Sequence, residues 1–276
     1  MPASSPLLTH AEAADSAPAT LPAHLEITRL SKTFPNGARV LENVSLRIAP
    51  GEFVSLIGPS GCGKSTVLKL VSGLTQPSAG SILVEGRTPA NARDAMSFIF
   101  QDATLLPWRT VTQNVSLGLE LENVARARQA EIVPQLLAFV GLEKVGDRYP
   151  RQLSGGMKMR VSIARALATT PRLLLMDEPF GALDEMTRDR LNEELLRLRE
   201  RDRWTAVFVT HSVAEAVFLS NRIIVLGANP GRVVHDLPVP FPYPRDDALR
   251  GSEAFQRTVV DVSVALRQAA HMKGAA

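Results

Sequence analysis

Short apolar runs fenced by turn residues recur along this chain and predict the strands of a sheet covered on both faces. The clearest, Phe53 to Ile57, leads straight into Gly58-Pro59-Ser60-Gly61-Cys62-Gly63-Lys64-Ser65-Thr66 and then into a helical pattern carried by Val67, Leu68, Leu70 and Val71. Ile82 to Val84, Ser97 to Phe100, Arg172 to Met176, Ala206 to Thr210 and Arg222 to Leu226 are further strand candidates. Ahead of these, Leu25, Ile27 and Leu30 open an extended stretch. Val40 to Ile48 continues it with near-alternating apolar residues, the pattern of an antiparallel β layer.

Between Gln101 and Ser154 the period changes. Leu117, Leu121 and Val124, then Ile132, Leu136, Leu137 and Val140, recur at helical spacing, with Gly141 as a stop. This predicts a helical subdomain inserted at about 102–160. Leu191, Leu195 and Leu198 form an apolar stripe on a charged helix, and Phe255, Val259, Val262 and Leu266 repeat that pattern. Between the two, Pro238, Pro240, Pro242 and Pro244 alternate with Val239, Phe241 and Tyr243, which predicts an extended strap rather than core.

The chain has 276 residues, 45% of them hydrophobic and 21% charged, enough for one large α/β domain with a smaller insertion. A formal charge of +3 with scattered basic residues argues against a nucleic-acid partner. The single cysteine, Cys62, excludes an intramolecular disulfide and a cysteine-based metal site, as expected in a reducing compartment. The apolar runs fall well short of the roughly 18–20 residues that cross a bilayer. Residues 1–24 carry no Lys or Arg and read as a disordered tail rather than a signal peptide.

Gly58 to Ser65 matches G-x-x-x-x-G-K-S, in which glycines let backbone N–H groups turn inward around a phosphate. The helix behind it adds its positive end, Lys64 can reach the β- and γ-phosphates, and the Ser65 hydroxyl can ligate Mg²⁺. Leu173 to Met176 runs into Asp177 and Glu178, two carboxylates where a buried strand leaves its sheet and a ligand crevice is expected. Asp177 suits Mg²⁺, and Glu178, pointing elsewhere, suits polarising the attacking water. His211 follows another strand and falls near the same crevice, placed to contact a γ-phosphate.

Ser154-Gly155-Gly156, just before a helical pattern at Val161, Ile163, Ala164 and Leu167, offers a second helix N-terminus for phosphate. One nucleotide cannot easily use two such cradles from one chain. The simplest resolution is a two-fold dimer in which each signature-like turn closes over ATP held by the other copy.

Taken in this order, the motifs of residues 25–235 resemble the ATP-binding subunits of ABC transporters. Leu153 to Met157 resembles the signature sequence, Gln101 the Q-loop glutamine, Gly181-Ala182-Leu183-Asp184 the D-loop, His211 the switch histidine, and Phe34 the aromatic that stacks on adenine. The resemblance implies a P-loop NTPase core with an antiparallel β layer and an inserted helical subdomain, followed by a C-terminal extension over 236–276. It implies that Lys64 and Ser65 hold phosphate and Mg²⁺, that Gln101 senses metal and water, that Glu178 is the catalytic base and that Asp184 links two sites. It further implies ATP and Mg²⁺, a second copy of the chain, two transmembrane permease subunits and, through them, an extracytoplasmic solute-binding protein, with the chain on the cytoplasmic face of the inner membrane.

Phe100 to Arg109, Thr210 to Leu219 and the turn Asn229-Pro230-Gly231-Arg232 look most like the nitrate, sulfonate and taurine importer branch, with importers of pyrimidine precursors close by. Met157 and Met159 depart from the glutamines common in the wider family. A soluble ABC ATPase serving DNA repair, translation or cluster assembly is the alternative. The chain shows no long heptads, second nucleotide domain or concentrated basic patch to support most such roles. A P-loop kinase would leave Ser154 to Gly156 and His211 unused. Two further expectations concern single residues: Trp108 as part of a docking contact with the membrane partners, and Cys62 as a thiol of lowered pKa whose alkylation blocks ATP binding.

Overall fold

In this computed structural model, which describes residues 24–271, the chain opens with two long strands, β1 (Leu25–Thr33) and β2 (Arg39–Ile48). The stretch read as a tail lies, apart from His24, outside the described residues. β3 (Phe53–Ile57) and α1 (Lys64–Val71) follow, and β4 (Ala79–Val84) returns to β1. β1 pairs antiparallel with both β2 and β4, Leu25 lying opposite Ile48 on one side and Val84 on the other. This is the expected antiparallel layer, three strands in the order β2-β1-β4.

The second sheet is built from β3 with β5 (Met96–Ile99), β6 (Leu173–Asp177), β7 (Thr205–Val209), β8 (Arg222–Leu226) and β9 (Val233–Pro238). Its order is β5-β6-β7-β3-β8-β9, parallel except where β9 runs antiparallel to β8. β3, β6 and β7 are buried at every residue, as strands covered on both faces must be. Successive side chains enter opposite cores. Val54, Leu56, Leu173 and Leu175 pack toward the antiparallel layer and α1. Phe53, Ile57, Leu174 and Met176 pack toward the helices on the other face.

Between β5 and β6 lie α2 (Val111–Val115), α3 (Leu117–Leu121), α4 (Arg126–Phe139) and α5 (Gly155–Leu167). Thr110 and Gln113 form a reciprocal capping box that starts α2. The helical reading of this region holds, but its first stripe is off. Leu121 is exposed and Leu119 is the buried residue of α3, because the helix ends after five residues and never presents a second turn. Gly141 takes a φ of 65° directly after α4, the left-handed stop that glycine permits.

α6 (Glu185–Asp202), α7 (Val213–Leu219), α8 (Asp247–Arg250) and α9 (Glu253–His271) complete the chain. Leu191 and Leu195 of α6, with Phe255 and Val262 of α9, are buried in one core. Two features differ from the sequence reading. No residue of β9 is buried, as suits an edge strand, and so it leaves no apolar run to read. The proline strap is packed rather than detached: Val239 is buried, Tyr243 Oη donates to Leu219 O at 2.6 Å, and buried Arg245 donates to Val217 O and Phe218 O at 3.0 and 2.7 Å. Together these groups cap the carbonyl end of α7.

Candidate functional site

The C-terminal ends of β5, β6, β7 and β3 are neighbours in the sheet, so the segments leaving them converge on one edge. β3 runs into the glycine loop and α1. Gly63, immediately before α1, has a φ of 96°, and a Cβ there would lie 2.6 Å from Leu41 Cδ2, so both backbone conformation and space require glycine. Val40, Gly61, Lys64, Ser65, Glu178 and His211 are among the residues lining the open cleft that results.

Lys64 is almost fully buried, and its Nζ donates to Gly58 O at 2.9 Å and Pro59 O at 3.1 Å. An ammonium held in a loop by carbonyl oxygens, at the positive end of a helix, is a site prepared for an anion. Ser65 Oγ donates to Asp177 Oδ1 at 2.9 Å, joining the start of α1 to the end of β6. Burial pushes the Asp177 carboxyl up, and the neighbouring Glu178 charge adds to this, against the hydrogen bond from Ser65. A hydroxyl and a buried carboxylate side by side are hard oxygen donors, and their chemistry fits Mg²⁺.

A consequence for stability follows from the raised Asp177 pKa. A carboxyl whose folded-state pKa lies above its unfolded value disfavours folding once it ionises, so stability falls as pH rises through that interval. We expect Asp177→Asn to raise the melting temperature of the nucleotide-free, metal-free chain near neutral pH, by about 2–4 °C for each ~1 kcal/mol relieved. Thermal unfolding of both proteins checks this, and an Asp177→Asn midpoint below wild type contradicts it.

Glu178 sits one residue past the strand with φ 50°, its N–H donating to Val209 O at 2.9 Å. That bend separates its side chain from that of Asp177. His211 Nε2 lies 2.6 Å from Glu178 Oε1, and Gln101 Nε2 donates to Oε2 at 3.3 Å. Three residues separated widely in sequence thus meet on one carboxylate at the mouth of the phosphate-loop cleft.

Ser154, Gly155, Gly156, Asp184 and Phe34 are not among the residues that line this cleft. Ser154 caps α5 by accepting from Met157 N at 3.2 Å, and Ser154 and Gly155 are exposed. Gly156 packs beside Ala182 and Leu183. Asp184 caps α6, and its hydrogen bond from Thr187 N, 2.9 Å long, holds its carboxyl below the usual carboxylate range. Phe34 is partly exposed in the turn between β1 and β2, with Lys32 Nζ 5.2 Å from its ring centroid.

The lowered pKa expected of Cys62 is not met. Its side chain is fully buried, and burial pushes the thiol up despite the nearby Lys64 ammonium. Desolvation outweighs the helix terminus here, so Cys62 is a packed side chain of the loop rather than a reactive thiolate. Met159, where the wider family often has glutamine, is buried in the larger core and anchors α5 by packing.

Trp108 is 71% exposed. The loop that carries it is held by Asn114, a fully buried residue that sequence reasoning missed because a polar position inside a helical pattern reads as surface. Asn114 Oδ1 accepts from Leu106 N at 2.8 Å, while its Nδ2 donates to Leu106 O, Arg109 O and Thr110 O. Arg165 of α5 adds bonds to Ala103 O and Thr104 O. The exposed indole therefore stands on a fixed base.

Comparison with known proteins gives concordant results. The ABC transporter family model matches residues 41–181. Over 219 residues the chain is 48% identical to an ATP-binding protein of Brucella abortus, covering 79% of this chain and 84% of that protein. It is 44% identical over 222 residues to the nitrate import ATP-binding protein NrtD of Synechocystis sp., covering 79% and 84%. It is 41% identical over 235 residues to the aliphatic sulfonates import ATP-binding protein SsuB of Bacillus cereus, covering 84% and 91%. Among solved structures, a dimeric post-hydrolysis state of the ATP-binding cassette MJ0796 bound to ADP and Pi matches with a TM-score of 0.73 and 32% identity, over 79% of this chain and 100% of that one.

Proposed function

The chain belongs to the ABC transporter family as an ATP-binding, ATP-hydrolysing subunit, and on that premise we propose that two copies of it use Mg-ATP to drive import of a small oxyanion. The observation that carries the ATPase site is the Glu178 carboxylate, held by His211 and Gln101 at the mouth of a cleft that also contains Lys64 and Ser65.

In this reading the backbone N–H groups of Gly58 and of Ser60 to Thr66 surround the β-phosphate, and Lys64 turns from Gly58 O and Pro59 O to the β- and γ-phosphates. Ser65 and Asp177 hold Mg²⁺, with Gln101 beside them. When bound, the metal would neutralise the negative charge that develops on the phosphate during hydrolysis. Glu178 accepts a proton from the attacking water, and His211 orients that water and donates to the γ-phosphate. Phe34 stacks on adenine. Ser154, Gly155 and Gly156 of a second copy complete each site, and Asp184 links the two. This accounts for a second phosphate-type helix terminus that lies outside the cleft of its own chain.

No helix among the described residues is long and apolar enough to cross a membrane. Separate permease subunits supply the pathway, and we place the chain against them on the cytoplasmic face of the inner membrane, with a solute-binding protein outside. We assign residues 25–235 to the nucleotide-binding unit, about 102–160 to its helical insertion and 236–276 to a C-terminal extension, whose first residues, to Pro238, finish strand β9 of the sheet. The named functions of NrtD and SsuB make nitrate and alkyl sulfonates the first solutes to test.

Trp108 docks the permease in this account. A central interface tryptophan is commonly worth about 2 kcal/mol or more, a fall in affinity of roughly 30-fold. We expect Trp108→Ala to lose the permease on co-purification while the isolated chain keeps its ATPase activity. Full assembly and transport by that variant would remove Trp108 from the interface. The soluble-ATPase alternative predicts no permease in either pull-down.

A further inference from the structure

The turn Asn229-Pro230-Gly231-Arg232 takes no part in the chemistry above, yet it touches the phosphate loop from behind. It joins β8 to β9 and is closed by Gly227 N donating to Arg232 O at 2.9 Å. Gly231 lies beside the start of β2: its N–H donates to Val40 O at 2.8 Å, and its carbonyl accepts from Glu42 N at 3.0 Å. These two bonds form an isolated parallel bridge between Leu41 and Gly231. Through it the antiparallel layer is tied to the six-stranded sheet at the level of the loop.

The contact with the loop itself is closer still. A Cβ on Gly231 would fall 2.0 Å from Cys62 O, 3.0 Å from Leu41 Cδ2 and 3.1 Å from Val40 O. The neighbour at 2.0 Å is a backbone oxygen of the phosphate loop, which cannot rotate away as a flexible side-chain end can. Leu41 is fully buried, and its Cδ2 also stands 2.6 Å from where a Cβ on Gly63 would be, so it is wedged between the turn and the glycine that starts α1. Val40, on the same strand, lines the cleft. Outside this contact, Arg232 Nε donates to Glu42 Oε2 at 2.7 Å, and Arg39 pairs with the same carboxylate.

We propose that Gly231 and Arg232 are positioning residues for the nucleotide, Gly231 backing the phosphate loop at Cys62 and Arg232 holding the Val40–Glu42 edge through Glu42. The inference rests on the reading of the cleft as the ATP site. Its consequence falls on binding rather than on the chemical step. Gln101, Glu178 and His211 leave β5, β6 and β7, whereas the turn bears on the loop after β3 and on β2. Adding a methyl at Gly231 must push Cys62 or Val40 outward and spoil the converging N–H groups, as displacements of about 1 Å do at preorganised sites.

The experiment is steady-state ATPase kinetics on the full chain with Mg-ATP, together with direct titration by a fluorescent ATP analogue, for wild type, Gly231→Ala, Arg232→Ala and Arg232→Lys. Gly231→Ala is expected to raise KM and the analogue's Kd by about tenfold or more, with kcat within about twofold. Arg232→Ala breaks a partly exposed ion pair and is expected to raise both by roughly threefold, with Arg232→Lys closer to wild type. If Gly231→Ala does not fold, the Arg232 pair carries the test alone. Arg232→Ala with unchanged KM and Kd, or a fall confined to kcat, overturns the proposal. A wild-type chain that neither binds nor hydrolyses ATP overturns instead the reading of the cleft on which it rests.

Discussion

Glu178→Gln should lower phosphate release from Mg-ATP by about 10²–10⁴-fold, the usual worth of a positioned general base, and leave ATP binding nearly intact. The substitution keeps the shape of the side chain. It also keeps an oxygen to accept from His211 or Gln101, which now stand at 2.6 and 3.3 Å from the carboxylate. What it removes is the capacity to take a proton from water. Because Glu178 makes none of the contacts expected to hold phosphate, the loss belongs to kcat and not to the nucleotide Kd. Single-turnover measurements beside equilibrium binding separate the two, and a variant that retains wild-type turnover would transfer the role of base to another residue.

Lys64→Ala should act in the opposite sense, abolishing binding before chemistry can occur. The ammonium is buried and satisfied by Gly58 O and Pro59 O, so its desolvation has already been met in the free protein and it can turn to an incoming phosphate. Truncating one partner of a buried, hydrogen-bonded charge pair costs about 2–5 kcal/mol, or roughly 30-fold to several thousandfold in affinity. The loop itself should survive, since the alanine removes a buried charge and the glycine conformations remain. Isothermal titration with ATP reads the affinity and a thermal scan reads the fold. Near-normal affinity in a folded Lys64→Ala chain would place the phosphates elsewhere.

Much of this architecture is legible in the sequence for an identifiable physical reason. β3 and β8 form over the very residues that their runs mark, because all five residues of β3 and Ile223 to Leu226 of β8 are buried and uncharged, the one charge, Arg222, standing at the partly exposed first position of β8. The positions of Asp177, Glu178 and His211 at neighbouring strand ends are legible for the same cause: the runs end where the sheet does. Features at the margins of the sheet are not. β9 contains His235 and Asp236 and pairs on one side only, so neither composition nor alternation announces it. Leu119 replaces Leu121 in the core because α3 is a single short turn, and periodicity needs more than that to show.

The rest depends on contacts between distant segments. A proline-rich stretch looks solvated in sequence, whereas Tyr243 and Arg245 use it to reach the carbonyls at the end of α7. Arg199 and Arg245 also flank the Tyr243 ring, at 4.2 and 4.1 Å from its centroid. Cys62 looks like a thiol activated by a helix terminus, yet it is buried in a core it shares with Leu41 of β2 and Leu226 of β8, segments no local pattern could bring there. Asn114 and Gly231 belong to the same class: their importance lies in backbone groups that only the folded chain presents to them.

The central claim is that the site is shared between two copies, with the Ser154–Gly156 turn of one chain closing on the phosphate loop of the other. The measurement that tests it most directly is light scattering of Glu178→Gln, which holds ATP without consuming it, with and without Mg-ATP. The account predicts that the mass doubles on adding Mg-ATP, that two nucleotides are retained per dimer, and that Ser154→Glu, which places a negative charge where phosphate should approach, abolishes the doubling. A chain that binds one ATP with full affinity and keeps the mass of a single copy would contradict it.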